Sequence, residues 1–178
     1  IYSFCRITMS IEEILNSKSL KPKDKTMMLA ENLLHHRISI DELLAFARNA
    51  KDSPKATCIE AMEYATKKNY YLATTGCIEF TISQLTAKAP RVVWESSRVI
   101  ANIAAKFPEE SAAAIAPLLK NTNHPGTVVR WSTATALIEI AKINSKQGIE
   151  LRKKMKALIR NEKQNSIKKI YQVIINRN

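Results

Sequence analysis

The chain has 178 residues, 46% of them hydrophobic, with three glycines, six prolines and 28 basic against 16 acidic side chains, a formal charge of +12. That length suits one ordinary domain or one short repeat array, and the apolar fraction argues against global disorder. The longest charge-free stretch, Asn69 to Ile78, has ten residues, against roughly 20 for a bilayer crossing, so no membrane association is expected. So few glycines leave no phosphate-cradling loop of the G-x-G or P-loop kind, which argues against the common nucleotide folds.

Ile1 to Thr8 has neither the apolar run nor the small-residue cleavage site of a signal peptide. Met9 reads as a start, residues 1–8 as an adventitious or frayed extension, and 9–178 as a single repeat domain. Cys5, Cys58 and Cys77 are odd in number and without C-x-x-C spacing, which fits neither a disulfide framework nor a zinc site. Cys58 and Cys77 fall in apolar helical patterns where a thiol packs as a small hydrophobe. The simplest setting is a reducing, cytoplasmic one.

The helices follow in order. Ser10-Ile-Glu-Glu13 is a capping box opening a helix near 11–18. A second helix, near 23–37, ends at His35-His36 before Arg37, and the box Ser39-Ile-Asp-Glu42 opens 40–51. Prolines 54, 90 and 108 open segments at 54–68, 90–106 and 108–121, since a first-turn N–H has no helical partner to lose. Further 3.6-residue periodicity covers 71–88, 126–143, 146–161 and 165–177. Nothing alternates with period two, so the fold class is all-α without a sheet, and loops of two to five residues make consecutive helices antiparallel.

Spacing says more than the helices do. Pro22, Pro54, Pro90 and Pro125 lie 32, 36 and 35 residues apart, and Trp94 and Trp131 are 37 apart. A slide of 37 lays Val92-Val93-Trp94 on Val129-Arg130-Trp131 and Asn102-Ile103-Ala104 on Glu139-Ile140-Ala141, with a weaker echo at Glu63-Tyr64-Ala65. One helix pair cannot bury its apolar face, whereas stacked pairs can, so this period marks a solenoid.

Pro108 to Ile143, PEESAAAIAPLLKNTNHPGTVVRWSTATALIEIAKI, resembles a HEAT repeat of the armadillo-type α-solenoid family. It has a first helix with Pro117 before Leu118-Leu119, a turn, and a second helix opening Val-Val-Arg and running through Ala134, Leu137 and Ala141. Tyr71 to Phe107 is similar, with Trp94 where the family usually has arginine; Asn121, Asn123 and His124 stand where it usually has an aspartate. The resemblance implies an α-α superhelix of about five antiparallel helix pairs, with second helices lining the concave side.

Charge is concentrated at one end. Residues 1–90 carry +2, residues 91–178 carry +10, and Lys142 to Asn178 alone has 11 basic residues against Glu150 and Glu162. Leu151, Met155, Leu158 and Ile159 form one apolar stripe, leaving Arg152, Lys153, Lys154, Lys156, Arg160 and Lys163 to other faces. In the last helix Ile167, Ile170, Tyr171 and Ile174 form the stripe while Lys168 and Lys169 point elsewhere. This flank reads either as a surface for RNA or DNA phosphates or as a solvated end cap whose lysines complement helix dipoles. No aromatic–basic module for sequence-specific recognition accompanies it.

Arg91, Trp94, Arg98, Arg130 and Trp131 form a second candidate surface, for a protein partner, on the side the resemblance makes concave. Their alternatives are structural: Arg130 as an inter-repeat strut, the tryptophans as packing between repeats. Catalytic patterns are missing. His35 and His36 point about 100° apart and cannot chelate one ion as an i, i+4 pair can, and His124 reads as a turn residue. HEAT-like DNA glycosylases that remove alkylated bases are a minor alternative; by resemblance they need an acid one turn after a concave tryptophan, where this chain has Arg98 and Thr135. The sequence therefore predicts a non-catalytic protein-interaction scaffold without metal, cofactor or small-molecule substrate, with nonspecific nucleic-acid binding by the basic helices as the alternative.

Overall fold

A computed structural model describes residues 9–175. The reading of residues 1–8 as an extension, Cys5, and the tip of the last predicted helix lie outside the described residues. Five antiparallel pairs follow one another: α1 (Ile11–Asn16) with α2 (Pro22–Leu34), α3 (Ile40–Asn49) with α4 (Asp52–Lys68), and α5 (Thr75–Ser83) with α6 (Pro90–Ile103). The fourth pair sets a broken first helix, α7 (Pro108–Ser111) and α8 (Ile115–Asn121), against α9 (Thr127–Lys142); the fifth is α10 (Lys146–Asn161) with α11 (Asn165–Ile175). No described residue is in a strand. The second helices pack in an unbroken row, α2 on α4 on α6 on α9 on α11. This is the all-α solenoid that the period implies. The first helices are less regular: α3, α5 and α7 touch in turn, whereas α8 and α10 scarcely meet.

Local chemistry explains the boundaries. Both capping boxes form, Glu13 N donating to Ser10 Oγ at 3.1 Å and Glu42 N to Ser39 Oγ at 3.1 Å, with each glutamate accepting from the cap N–H in return. α2 stops because His36 enters the left-handed region (φ 54°); there His36 N reaches Leu33 O and Arg37 N reaches Asn32 O, the Schellman pattern. Gly148, in the first turn of α10, is required by close approach, since any Cβ there would fall on the Ile143 carbonyl oxygen.

Three expectations need correction. The segment 71–88 is not one helix: Asn69 caps a 3-10 turn (Tyr70–Leu72), Thr74 caps α5 through Cys77 N at 3.3 Å, and a second 3-10 turn (Gln84–Thr86) closes the segment. Two polar caps within six residues override the apolar periodicity. The segment 108–121 is interrupted by a 3-10 turn, Ala112–Ala114, because Pro117 offers no N–H to the carbonyl four residues back and its ring crowds that carbonyl. Pro54 does not open α4, which starts two residues earlier at Asp52, but it still lies in the first turn.

The core runs the length of the stack, with Leu29, Leu33, Ile59, Met62, Ile100, Ile103, Leu137 and Met155 fully or almost fully buried. Polar side chains tie one pair to the next at the repeat distance. Asn102 Nδ2 donates to Glu63 O (3.0 Å) and Thr66 Oγ1 (3.2 Å), and Asn121 Nδ2 donates to Leu85 O (2.9 Å). Lys106 Nζ donates to the carbonyls of Tyr71 and Ala73. The Asn121 and Lys106 bonds satisfy carbonyls that the end of a 3-10 turn leaves free.

Candidate docking surfaces

On the seam between α4 and α6, Arg91 pairs with Glu60 at 2.6 Å, and Glu60 also accepts from Thr26 on α2 at 2.9 Å. Arg98 bridges Glu63 (2.9 Å) and Glu95 (3.1 Å). The Trp94 indole N–H donates to Glu95 Oε1 at 2.7 Å, leaving that ring half-buried. Burial pushes the Glu95 carboxyl up; Trp94 and Arg98 oppose this, and Glu60 and Glu63 add to it. Both Glu95 oxygens accept a hydrogen bond, one from Trp94 and one from Arg98.

Arg130 is held further along the same row, where α9 meets the residues just before α11. Its guanidinium pairs with Glu162 at 3.0 Å and donates to the carbonyls of His124 (2.9 Å) and Pro125 (3.1 Å). Burial opposes ionisation of Glu162, yet hydrogen bonds from Gln164 N, Arg130 and Lys163 N outweigh it and hold the carboxyl low. His124 serves the turn, Nδ1 accepting from Gly126 N at 2.9 Å. The five residues singled out for a partner therefore divide. Three arginines are committed to ion pairs between helices, Trp94 is half-buried, and Trp131 is 43% exposed. Beside Trp131, one turn back on α9, Val128 is 53% exposed.

The C-terminal cations also divide. Arg152 reaches the Ala141 carbonyl, and Lys153 pairs with Glu150 at 2.6 Å. Lys154, Lys156, Arg160, Lys163 and Lys169 are exposed and Lys168 is half-buried; none has a carboxylate at ion-pair distance among the described residues.

Sequence reasoning passed over an exposed aromatic pair, Tyr70 and Tyr71, with ring centroids 4.2 Å apart. Adjacent tyrosines directly after the cap Asn69 were the available signal. It also passed over Val128 and an apolar groove beside Lys146 on the first-helix side. The buried Cys58 and Cys77 thiols are both pushed up to about 12 by burial, which keeps them protonated and unreactive. Among the described residues no cluster of His, Cys, Asp or Glu could hold a metal, and no helix is long and apolar enough to cross a membrane.

Paired helices stacked in register, with second helices forming the continuous row, define an α-solenoid repeat protein. No family profile matches the sequence, and no curated protein matches it either. A solved structure does: a designed armadillo repeat protein, 16% identical, with a TM-score of 0.67 over 93% of this chain and 79% of that one. At that identity the likeness carries the fold, and the chain has an armadillo/HEAT-like repeat architecture.

Proposed function

We propose that the chain is a non-catalytic scaffold that binds a protein partner along the second-helix row, in a reducing, cytoplasmic setting. One observation carries this reading: Val128 and Trp131 stand exposed one turn apart on α9, on a row held rigid by buried packing. A large aromatic on a preorganised surface is the usual anchor of an interface, because little entropy is lost on docking. Trp94, 37 residues earlier on the neighbouring helix, extends the patch. Arg91 and Arg98 would contribute as the fixed charged border. Trp131→Ala tests it. Protein captured from native lysate after nuclease treatment is expected to fall at least about tenfold with the variant, at unchanged thermal stability; equal capture would sink the proposal.

The cations of α10 and α11 that lack a carboxylate partner favour a second reading, nonspecific nucleic-acid binding. Neutralised phosphates release counterions, so oligonucleotide affinity should fall steeply between roughly 50 and 200 mM salt. Reversing Lys153, Lys154 and Lys156 to glutamate should flatten that slope. No measurable binding at low salt would end this alternative.

A further inference from the structure

The two helix rows do not open in the same places. α9 and α11 pack closely, but α8 and α10 in front of them scarcely touch. Pro117 and the 3-10 turn Ala112–Ala114 keep the first helix of the fourth unit short and broken, and Ala112 and Ala116 face the gap with almost no side chain. The result is a groove of about 440 Å³. Its apolar floor is Ala112, Ile115, Ala116, Leu119 and Leu151, and Lys146, Gln147 and Lys154 stand on its rim. Glu150 also lines it, but that carboxylate is paired with Lys153 at 2.6 Å. Lys146 and Lys154 have no carboxylate at that distance among the described residues.

We infer that this groove docks an amphipathic acidic segment of a partner protein, its apolar side chains on the floor and its carboxylates against Lys146 and Lys154. Charge complementarity selects that occupant. A second copy of this chain carries a net +12 and brings an excess of cations rather than the carboxylates the rim lysines call for. Residues 1–8 contain an arginine and no carboxylate, so they do not match the rim. A phosphate backbone would find its contacts only at the rim, since the floor offers methyl and methylene groups. A small-molecule site has fixed polar groups converging on the ligand, whereas here Lys146, Gln147, Glu150 and Lys154 all belong to one exposed face of α10. The inference goes beyond the second-helix reading and uses none of its residues.

The test takes the full chain and a phage-displayed library of random 16-residue peptides. Recovered peptides are synthesised, labelled and titrated by fluorescence anisotropy against wild type, Ala116→Trp, and the pair Lys146→Glu with Lys154→Glu. Ala116 is exposed, so its replacement fills the groove without entering the core, and the lysine pair is a surface change that folds independently of it. The expected peptides place apolar residues at helical spacing among Asp and Glu. Each variant should weaken their binding at least about tenfold, with melting temperature unchanged. Peptides without acidic residues, or affinity that survives both variants, would overturn the inference. So would full displacement by a 16-nucleotide oligo-dT, which would make the rim a general polyanion contact. If Trp131→Ala abolishes binding while Ala116→Trp does not, this inference fails and the second-helix reading stands.

Discussion

Two seams in the second-helix row use the same residue types to opposite effect. Between α4 and α6, Arg91 and Arg98 face three carboxylates, Glu60, Glu63 and Glu95. At the junction of α9 with the start of α11, Arg130 faces Glu162 alone, and two backbone N–H groups add to it at 2.8 Å. Burial raises the pKa of Glu95 despite its arginine, whereas donors lower that of Glu162 despite its burial. An arginine at hydrogen-bond distance does not by itself fix a carboxylate's charge state; the balance of donors against like charges does. Linkage then gives the seams opposite pH dependence. Glu95 binds its proton more readily folded than unfolded, so it favours the folded state increasingly as pH falls from neutral through its raised pKa. Glu162 holds its proton less readily folded, so its contribution is present above the ordinary glutamate range and is lost as pH falls through the lowered pKa.

The largest effect calibrates both seams. Leu137 is fully buried on α9, which packs against α6 on one side and α11 on the other. Leu137→Ala should cost about 2–5 kcal/mol, read from the denaturant midpoint, and by the same amount at pH 5 and pH 7.5 because nothing titratable is removed. A loss below about 1 kcal/mol would show that the row is not the stabilising element. Glu162→Gln comes next. It leaves Arg130 with two carbonyls and no counter-ion, for a loss of about 1–2 kcal/mol at neutral pH. The difference from wild type should close as pH drops below the ordinary glutamate range. A difference constant with pH would remove the charge from the account of this seam.

Much of the fold was legible because it rests on translational repetition, which leaves a mark in sequence as residues that recur. Asn102 and Thr66 lie 36 residues apart and hydrogen-bond across two units at 3.2 Å, so the period seen in the letters is the period seen in space. The irregularities were less legible. Thr74 reads as one polar residue in an apolar run until its hydroxyl is found capping α5 and donating to Asp41 at 2.8 Å. Pro117 is visible in the repeat pattern, but its consequence, a first helix too short to close against α10, depends on a helix that begins only at Lys146. The surface residues were the hardest. Sequence places Arg91, Arg98 and Arg130 on second helices, yet whether they face a partner or a carboxylate depends on Glu60, Glu63, Glu95 and Glu162, brought near by stacking. Trp131 differs from Trp94 for the same reason: Trp94 has Glu95 to accept its indole N–H, and the equivalent neighbour of Trp131 is Ser132, which is turned inward.

The smallest expected effect is the most discriminating. Glu95→Gln keeps the shape of the side chain and an oxygen that can accept from Trp94 or Arg98, while removing a buried charge that sits close to Glu60 and Glu63. If like-charge repulsion and burial outweigh the two donors, the variant is within about 1 kcal/mol of wild type at neutral pH, and on the stable side. That advantage should shrink on acidification, because wild type recovers the same relief by taking up a proton as pH falls through the raised pKa of Glu95. Guanidinium denaturation at several pH values between neutrality and the ordinary glutamate range would trace the convergence. The Glu162→Gln curve must approach wild type from the other side and at lower pH. Two curves with the same sign would mean that Arg98 holds Glu95 as firmly as Arg130 holds Glu162, and that three carboxylates around two arginines behave no differently from one around one.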